Sequence, residues 1–208
     1  ELSSIHRICP AEKITVVPLG FDLSRFRENQ AEKRERFRKT WHIADDTLAI
    51  VIVGRLVPVK NHRLFLEALA RTAAQTNRKI KAFIVGDGEW RSELESIATG
   101  LSIPFDNKPS DKLLTFTSWI KDVETVYAGA DVVALSSWNE GTPVSLIEAQ
   151  AAGKAIVTTN VGGISDVVLS GTTALLSETG DTAAFAANLL AVLADDRKRL
   201  EMGEAGWP

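Results

Sequence analysis

The sequence has little from which to build a disulfide, a cysteine-based metal site or a membrane span. It contains one cysteine, Cys9, so no internal disulfide or cysteine cluster can form within the chain. No apolar run approaches the roughly 20 residues that cross a bilayer, and residues 1–4 carry neither the charged nor the apolar part of a signal peptide. These absences favour a soluble protein of a reducing compartment, and we expect a cytoplasmic location.

The chain also lacks an excess of positive charge. Its formal net charge is -3 at pH 7, and the densest basic run, residues 33–39, is interrupted by Glu35. We therefore expect no nucleic-acid partner and interpret this run as the solvated face of a helix. The three histidines, His6, His42 and His62, are not spaced as metal ligands, and we expect no bound metal.

What the sequence does contain is short apolar segments that alternate with longer segments of helical periodicity. Hydrophobic residues make up 45% of the chain and charged residues 25%, as in an ordinary globular domain. Segments such as residues 49–53 are apolar at every position, which indicates a sheet covered by helices on both faces. The alternation predicts an α/β fold with a doubly wound parallel sheet, a Rossmann-like arrangement.

The predicted elements divide the chain into seven strands and seven helices. The strands are residues 14–18, 49–53, 81–85, 113–117, 132–136, 155–159 and 174–176. The helices are residues 31–41, 62–75, 90–99, 123–128, 144–152, 164–169 and 182–194. Residues 102–111, with two prolines, are predicted to form an irregular loop. Because ligands bind beyond the carboxyl ends of parallel strands, we expect the chemistry in the loops after Val53, Val85, Ser136 and Thr159.

The first of these loops places two cations between a strand end and a helix start. Gly54 opens it, Arg55 and Lys60 lie within it, and Asn61 begins the next helix. Because the N-terminus of a helix carries partial positive charge, a lysine there is disfavoured by up to about 1 kcal/mol unless an anion is present. A bound phosphate would supply that charge and accept the free backbone N–H groups. Two exposed loop cations without a ligand remain the alternative.

The loop after residues 132–136 leads into a helix that is flanked by two carboxylates. Thr142 and Pro143 fit the N-cap and the first position of this helix. Glu140 precedes it, and Glu148 lies about 7–8 Å beyond Pro143 at about 1.5 Å per residue. Each carboxylate can chelate a vicinal diol, one on a sugar and one on a ribose, while the backbone N–H groups of Gly141 and Thr142 meet a phosphate. An acidic loop before an ordinary surface glutamate remains the alternative.

The helix that starts near Pro143 is expected to turn an apolar face to the sheet. Val144, Ile147 and Ala151 form that face in the predicted periodicity, which leaves Glu148 on a different side, toward solvent or a ligand. The tryptophans are scattered along the chain. Trp119 and Trp138 fall near strand ends, where we expect core packing, with a pocket wall as the alternative.

Two glycine-containing turns follow predicted strands. Gly86 and Gly88 superficially match a dinucleotide-binding turn, but Arg91 stands where the third glycine would be, and the preceding strand is not the first of the chain. An NAD site is therefore disfavoured. We expect these glycines, like Gly162 and Gly163, to form tight turns that let the backbone approach a ligand or adopt positive φ.

Taken in order, these segments resemble the retaining GT-B glycosyltransferases that use nucleotide sugars and have a glycogen-synthase-like C-terminal domain. The Glu-x7-Glu element of that family is matched by Glu140 and Glu148, and its Arg-x4-Lys pair by Arg55 and Lys60. The matching stretches are residues 16–22, 53–61, 84–88, 116–123, 130–132 and 140–153.

The resemblance implies a donor site for a nucleoside-diphosphate sugar, with UDP favoured and no cofactor. Arg55 and Lys60 would bind the diphosphate and support the leaving group in place of a metal, so that with Glu140 they are the catalytic residues. Glu140 would contact the donor hexose, Glu148 the ribose, and the main chain near Ile120 the base. The implied donor-binding residues are Gly54, Arg55, Lys60, Gly86, Ile120, Glu140, Gly141, Thr142, Pro143 and Glu148.

The resemblance also implies how the chain is organised. Residues 1–18 would be a hinge-proximal segment with the first strand, and residues 19–208 the nucleotide-sugar-binding domain. The family's acceptor site lies largely on an N-terminal Rossmann domain, for which this sequence has no room, and its start at Glu1 agrees with a fragment of a larger enzyme. That missing half would be a partner of this chain and could contact the inner face of a membrane.

The implied activity is transfer of a hexosyl group, without a metal, to a glycan or lipid-linked acceptor. Thr142 and Pro143 depart from the aromatic–glycine pair that commonly follows the first glutamate of the motif, which leaves the identity of the sugar open. A nucleotide-sugar 2-epimerase of the same architecture and a non-catalytic nucleotide-binding module are the alternatives.

Overall fold

The structure is a computed structural model and describes residues 10–15 and 20–206. Its strands are β1 (Thr47–Val53), β2 (Lys79–Val85), β3 (Phe105–Asp106), β4 (Leu114–Ser118), β5 (Val132–Leu135), β6 (Ala155–Thr159) and β7 (Ala174–Ser177). Its helices are α1 (Ser24–Arg27), α2 (Gln30–Thr40), α3 (His62–Gln75), α4 (Arg91–Gly100), α5 (Val123–Gly129), α6 (Val144–Ala151), α7 (Thr182–Ala194) and α8 (Asp196–Ala205). Short 3-10 turns lie at Ala11–Lys13, Pro58–Lys60 and Gly162–Asp166.

The strands form one sheet in the order β3-β4-β2-β1-β5-β6-β7, and every neighbouring pair is parallel. The central strand β1 is apolar throughout because its side chains enter two cores. Ile50 and Ile52 pack with α3, α4 and α7 on one face, whereas Ala49 and Val51 pack with α2, α5 and α6 on the other. The predicted doubly wound parallel sheet is confirmed.

Most strand predictions agree with the structure, and β6 has the predicted bounds. The exception at the edge is β3, because residues 102–111 were expected to be irregular and Phe105–Asp106 instead pairs with β4. Of the predicted strand 14–18, Ile14 and Thr15 carry no strand, and residues 16–18 lie outside the described residues. Cys9 and His6 lie outside them as well.

Among the helices, α3 and α7 have the predicted bounds, and α1 and α8 were not predicted. The helix predicted at residues 164–169 is wrong. A 3-10 turn ends there at Asp166, and the Leu169 carbonyl accepts the N–H groups of Thr172 and Thr173. The chain therefore turns directly into β7 and does not complete a helix.

The basic run of residues 33–39 lies in α2, and the expectation of a wholly solvated face is wrong. Arg38 is buried and donates to the carbonyls of Ala44 and Thr47, each at 2.6 Å. Arg34 and Arg38 both pair with Asp131, at 2.8 and 3.2 Å. These arginines fasten α2 to the amino edge of the sheet, opposite the edge where ligands are expected.

Candidate functional site

The carboxyl edge of the sheet is built from loops that contact one another through their backbones. Gly86, after β2, has φ 143°, and a Cβ there would lie 1.9 Å from the Gly54 carbonyl oxygen. A Cβ at Gly88 would lie 2.4 Å from the Leu56 carbonyl oxygen, and the Leu56 N–H donates to the Asp87 carbonyl at 3.0 Å. The expected positive φ is confirmed at Gly86, and the close approach at both glycines is to the backbone of the loop after β1, where an approach to a ligand was expected. Glycine is required at both positions because any side chain would push these loops apart.

The loops after β5 and β6 are joined in the same way. Gly162 has φ 50°, and a Cβ there would lie 1.9 Å from the carbonyl oxygen of Glu140. A Cβ on Gly163 would lie 2.1 Å from the Gly141 carbonyl oxygen, and the Gly163 N–H donates to the Glu140 carbonyl at 3.1 Å. The Gly162–Gly163 pair therefore fixes the backbone that carries Glu140.

A third connection joins the loop after β5 to the loop after β1. The Ser136 hydroxyl donates to the carbonyls of Lys60 and Asn61, at 3.1 and 3.0 Å. The Trp138 N–H donates to the Val59 carbonyl at 2.8 Å. Two segments about 75–80 residues apart in the chain are thereby held in register at the centre of the edge.

Lys60 and Glu140 meet where these loops join. Lys60 Nζ donates to Glu140 Oε1 at 2.6 Å, and the fully buried Ser137 donates its hydroxyl to the same oxygen at 2.5 Å. Both side chains of the pair are largely shielded from solvent. The negative group expected near Lys60 is thus present within the protein, as the Glu140 carboxylate. Ser137 was not among the predicted site residues. Its place in a pair of serines directly after a buried strand, at the edge where ligands are expected, could have indicated it.

The start of α3 agrees with prediction. Asn61 adopts the left-handed conformation with φ 46°, and its side chain accepts the Leu64 N–H at 3.4 Å as the N-cap. His62 follows, 2% exposed, and neither ring nitrogen has a hydrogen-bond partner. Burial, and then the nearby Lys60 charge, lower the pKa of His62 to about 4. His62 is therefore a neutral residue at neutral pH.

Arg55 lies in the same loop as Lys60 but is directed to another partner. Its side chain is 68% exposed, and its guanidinium lies 3.5 Å from the exposed carboxylate of Glu89, in the loop after β2. An exposed pair of this kind contributes at most about 1 kcal/mol and is easily exchanged for another anion. The structure therefore places Arg55 at the predicted edge with its guanidinium accessible.

The start of α6 differs from prediction by one residue. Pro143, with φ -78° and ψ 80°, is the N-cap, and the helix begins at Val144. Thr142 is therefore not the N-cap, and Pro143 is not the first helical residue. The non-helical ψ of Pro143 and the short contact from the Val144 N–H to the Thr142 carbonyl, 2.9 Å, form a turn that precedes the helix. Gly141 and Thr142 are exposed in that turn.

The face that α6 turns to the sheet also differs from prediction. Leu146 and Ala149 are fully buried and, with Ala151, form the packed face. Val144 is 38% exposed and Ile147 is partly buried, so neither belongs to the packed face, whereas Ala151 does. The predicted apolar face is therefore wrong at Val144 and Ile147 and correct at Ala151.

Glu148 projects from α6 toward the α5 side of the sheet, near Tyr127. Burial raises the pKa of the Glu148 carboxyl, and Tyr127 and Arg25 lower it in part. The Arg25 guanidinium, from α1, lies 3.8 Å from the carboxylate. Glu140 and Glu148 thus have distinct surroundings. Glu140 is paired with Lys60, whereas Glu148 is a half-buried acceptor with a loosely held cation.

The two tryptophans near strand ends are on the surface, and the prediction of core packing is wrong. Trp119, after β4, is 59% exposed, and Trp138, after β5, is 52% exposed. Each lies against a glycine, since a Cβ on Gly86 would lie 3.6 Å from the Trp119 ring and one on Gly180 3.4 Å from the Trp138 ring. Ile120, next to Trp119, is partly buried at the same edge.

Within residues 10–15 and 20–206, no helix is long and apolar enough to cross a membrane. In the same part of the chain, the side chains of histidine, cysteine, aspartate and glutamate form no group of three or more that could hold a metal ion.

Known proteins are similar to this chain in sequence and in fold. The family described as glycosyl transferases group 1 matches residues 33–207. The D-inositol 3-phosphate glycosyltransferase of Geodermatophilus obscurus is 35% identical over 212 residues, covering 97% of this chain and 44% of that protein. The UDP-Gal:alpha-D-GlcNAc-diphosphoundecaprenol alpha-1,3-galactosyltransferase of Escherichia coli is 30% identical over 189 residues, covering 89% of this chain and 46% of that protein.

A solved structure gives the same result for the fold. Anabaena Alr3699/HepE in complex with UDP and glucose superposes with a TM-score of 0.85 at 22% sequence identity, covering 99% of this chain and 54% of that one. The chain spans about half the length of the relatives it matches. It belongs to the glycosyl transferases group 1 and corresponds to the Rossmann-like C-terminal domain of a GT-B enzyme.

Proposed function

We propose that this chain binds the nucleoside-diphosphate-sugar donor of a hexosyltransferase, with a UDP-sugar favoured. The observation that carries the proposal is the contact between Lys60 and Glu140, 2.6 Å apart at the carboxyl edge of the sheet. Residues 80 positions apart in sequence bring a cation for phosphate and a carboxylate for sugar hydroxyls to one point. The crystal structure of Anabaena Alr3699/HepE with UDP and glucose supports a UDP-sugar.

The diphosphate would lie against Lys60 and Arg55. Arg55 is exposed and its pair with Glu89 is an exposed one, so its guanidinium can turn to a phosphate with two parallel hydrogen bonds. The backbone at Gly141 and Thr142, exposed before α6, would add N–H donors, and Gly54 and Gly86 allow the loops behind it to meet. This cluster of donors would stabilise the charge that develops on the departing diphosphate, as a metal does elsewhere.

The two carboxylates would divide the rest of the donor. Glu140, fixed by Lys60 and Ser137, would accept hydroxyl hydrogens of the hexose. Glu148, on the α5 side, would accept those of the ribose, and the main chain near Ile120 would meet the base. Pro143 holds the turn between the two carboxylates in place.

Transfer itself would require a second domain. We propose that the complete enzyme places a glycan or lipid-linked acceptor in a cleft between this domain and an N-terminal Rossmann domain, and transfers the hexose with retention and without a metal or other cofactor. The Escherichia coli relative, whose name specifies a diphosphoundecaprenol-linked acceptor, supports a lipid-linked substrate. A cytoplasmic enzyme that touches the inner face of a membrane through that second domain would fit such a substrate.

The direct test is titration of the chain with UDP, GDP, ADP and uridine by calorimetry. We expect micromolar-to-millimolar binding of a diphosphate, about -8 to -4 kcal/mol, with UDP tightest and uridine much weaker. Binding of uridine as tight as that of UDP would contradict a phosphate site at Lys60 and Arg55. Product analysis with UDP-sugars and the full-length enzyme separates transfer from epimerisation and from binding alone.

A further inference from the structure

Trp138 is an aromatic residue on the surface of the candidate site. The residue is 52% exposed, whereas the two residues that precede it, Ser136 and Ser137, are fully buried. Its N–H donates to the Val59 carbonyl at 2.8 Å, which ties it to the loop that carries Lys60. The exposed indole lies on the loop that also carries Glu140, where it is accessible to a ligand bound at this edge.

The Trp138 ring also has a defined support. Gly180, between β7 and α7, has φ 80°, and a Cβ there would lie 3.4 and 3.5 Å from two ring carbons of Trp138. The ring therefore rests at van der Waals distance on a backbone segment that a side chain would crowd. Exposed polar residues lie close to these two positions in sequence. Asn139 follows Trp138, and Glu178 and Asp181 lie within two residues of Gly180, although one Asp181 oxygen accepts the Ala184 N–H.

This combination suits a sugar ring. A pyranose presents C–H groups on one face and hydroxyls around its rim. The negative π-face of an indole attracts C–H groups, and carboxylate and amide oxygens accept hydroxyl hydrogens. An apolar protein surface would instead need a wide uncharged patch, whereas exposed residues with polar side chains neighbour Trp138 and Gly180 in sequence.

The position of Trp138 separates it from the donor nucleotide. Glu148 lies near Tyr127 on the α5 face of the sheet, so the nucleoside end of the donor would lie there. The Trp138 ring lies beside Gly180, in the loop that leads into α7. Helix α7 packs with α3 on the opposite face of the sheet from α5. Glu140, two residues after Trp138 in the chain, lies between these two positions and would hold the hexose. A group on Trp138 therefore approaches the donor sugar from the side away from the nucleotide.

We propose that Trp138 is a stacking platform for a pyranose ring of the acceptor, contributed by the donor-binding domain. This proposal rests on the proposed function, because the position of the donor hexose at Glu140 defines which side is the acceptor side. It makes Trp138 a specificity residue that favours an acceptor ending in a sugar over one ending in an acyclic alcohol.

The test uses the indole Nε1–H signals of the 15N-labelled chain, with the Trp138 signal assigned from Trp138→Phe. With UDP saturating, the probes are methyl α-D-glucopyranoside, methyl α-D-galactopyranoside and N-acetylglucosamine, and glycerol is the acyclic control. We expect the Trp138 signal to move with at least one pyranoside, with millimolar affinity, and not with glycerol. Trp138→Ala and Trp138→Phe lack the indole signal, so pyranoside binding to them is followed by the backbone amide signal of Gly180. Trp138→Ala should weaken pyranoside binding at least about fivefold, Trp138→Phe should retain most of it, and UDP affinity should not change in either.

Leu200→Ala is the matched control, because Leu200 is an exposed apolar side chain on α8. It should alter neither sugar nor UDP binding. The proposal is overturned if no pyranoside moves the Trp138 signal at concentrations of about 100 mM, or if Trp138→Ala binds pyranosides as well as the parent chain. It is also overturned if only detergent micelles or another protein move that signal. Loss of UDP binding with the sugar effect intact would instead refute the proposed donor site.

Discussion

Lys60 Nζ lies 2.6 Å from Glu140 Oε1, so the cation proposed for the donor diphosphate is neutralised by the carboxylate proposed for the donor sugar. The pair is shielded from solvent, and Ser137 donates to the same carboxylate oxygen. A diphosphate that approaches Lys60 must therefore compete with Glu140 for one ammonium group. The affinity for nucleotide alone and the affinity for nucleotide sugar should respond differently to substitutions in this pair.

Glu140→Gln should strengthen the binding of bare UDP, because an uncharged amide competes less well than a carboxylate for the Lys60 ammonium. We expect a gain of about 0.5–1.5 kcal/mol, the scale of one hydrogen bond, together with weaker discrimination in favour of UDP-sugar over UDP. Calorimetric titration of both ligands measures the two effects. Glu95→Gln, which breaks an ion pair of the same 2.6 Å length with Arg91 on α4, is the control and should change neither affinity. Weaker UDP binding in Glu140→Gln would show that the carboxylate does not compete.

Replacing either proposed phosphate-binding cation should weaken UDP binding and spare uridine. Arg55→Ala and Lys60→Ala should each lose about 1.5–3 kcal/mol of UDP affinity, the range for charge-assisted hydrogen bonds. The two variants should differ in stability. Lys60→Ala leaves the shielded Glu140 carboxylate without its cation, whereas Arg55→Ala removes only an exposed pair with Glu89. Urea unfolding beside calorimetry separates these effects, and equal losses for uridine and UDP would refute the assignment.

Sequence was sufficient for those parts of the fold in which local and tertiary preferences agree. The helix α3 was predicted to the residue because Asn61 caps it and its buried positions repeat every three to four residues. The 3-10 turn Gly162–Asp166 was mistaken for the start of a helix because its apolar spacing fits one. Its conformation depends on the contact of Gly162 with the Glu140 backbone, which no local pattern encodes.

In the candidate site too, local sequence predicted some features, whereas others depend on tertiary contacts. Local sequence placed Arg55, Lys60 and Glu140 in loops at one sheet edge, and the helix-terminus argument assigned the negative charge near Lys60 to a bound phosphate. It did not foresee that Glu140 supplies such a charge within the protein, because Glu140 is 80 residues away and reaches Lys60 only through the pairing of β1 with β5. Trp138 was misplaced in the core for a related reason, since hydrophobicity alone does not reveal that its neighbours fix it at an edge.

Glu148→Gln should stabilise the fold while it weakens nucleotide binding. Burial raises the pKa of this carboxyl, so the folded state holds the proton more tightly than the unfolded state. The free energy of unfolding should therefore fall as pH rises from the pKa of the unfolded state toward that of the folded state. At neutral pH the ionised Glu148 carboxylate lowers the stability of the fold. We expect Glu148→Gln to raise the melting temperature at pH 7 and lower UDP affinity. Thermal unfolding with calorimetry tests both, and unchanged UDP affinity would remove Glu148 from the ribose site.

His62 should make the fold less stable in mild acid. Its pKa is lowered from 6.5 to about 4, so below about pH 6.5 the unfolded chain binds a proton that the folded chain excludes. The free energy of unfolding is therefore not reduced by His62 above pH 6.5, and it falls progressively toward pH 4 by as much as about 3 kcal/mol. His62→Phe should flatten the decline in unfolding free energy between pH 7 and pH 5, measured with urea. His42→Gln, at an exposed site, should leave the slope as it is. An unchanged slope in His62→Phe would show that another group titrates.

The chain should bind the donor nucleotide but transfer no sugar by itself. It spans about half the length of the relatives it matches, and the residues proposed here for catalysis, Arg55, Lys60 and Glu140, all face the donor. Holding two reactants in register is worth several kcal/mol of barrier, up to about 7–11, and a cleft with one wall cannot provide it. Donor binding should persist because the loops after β1 and β5 are joined by backbone contacts within this domain. Incubation with labelled UDP-sugars and a panel of glycan and lipid-linked acceptors provides the measurement. Transfer above the uncatalysed rate that Glu140→Ala abolishes would show that the donor-binding domain is catalytically complete.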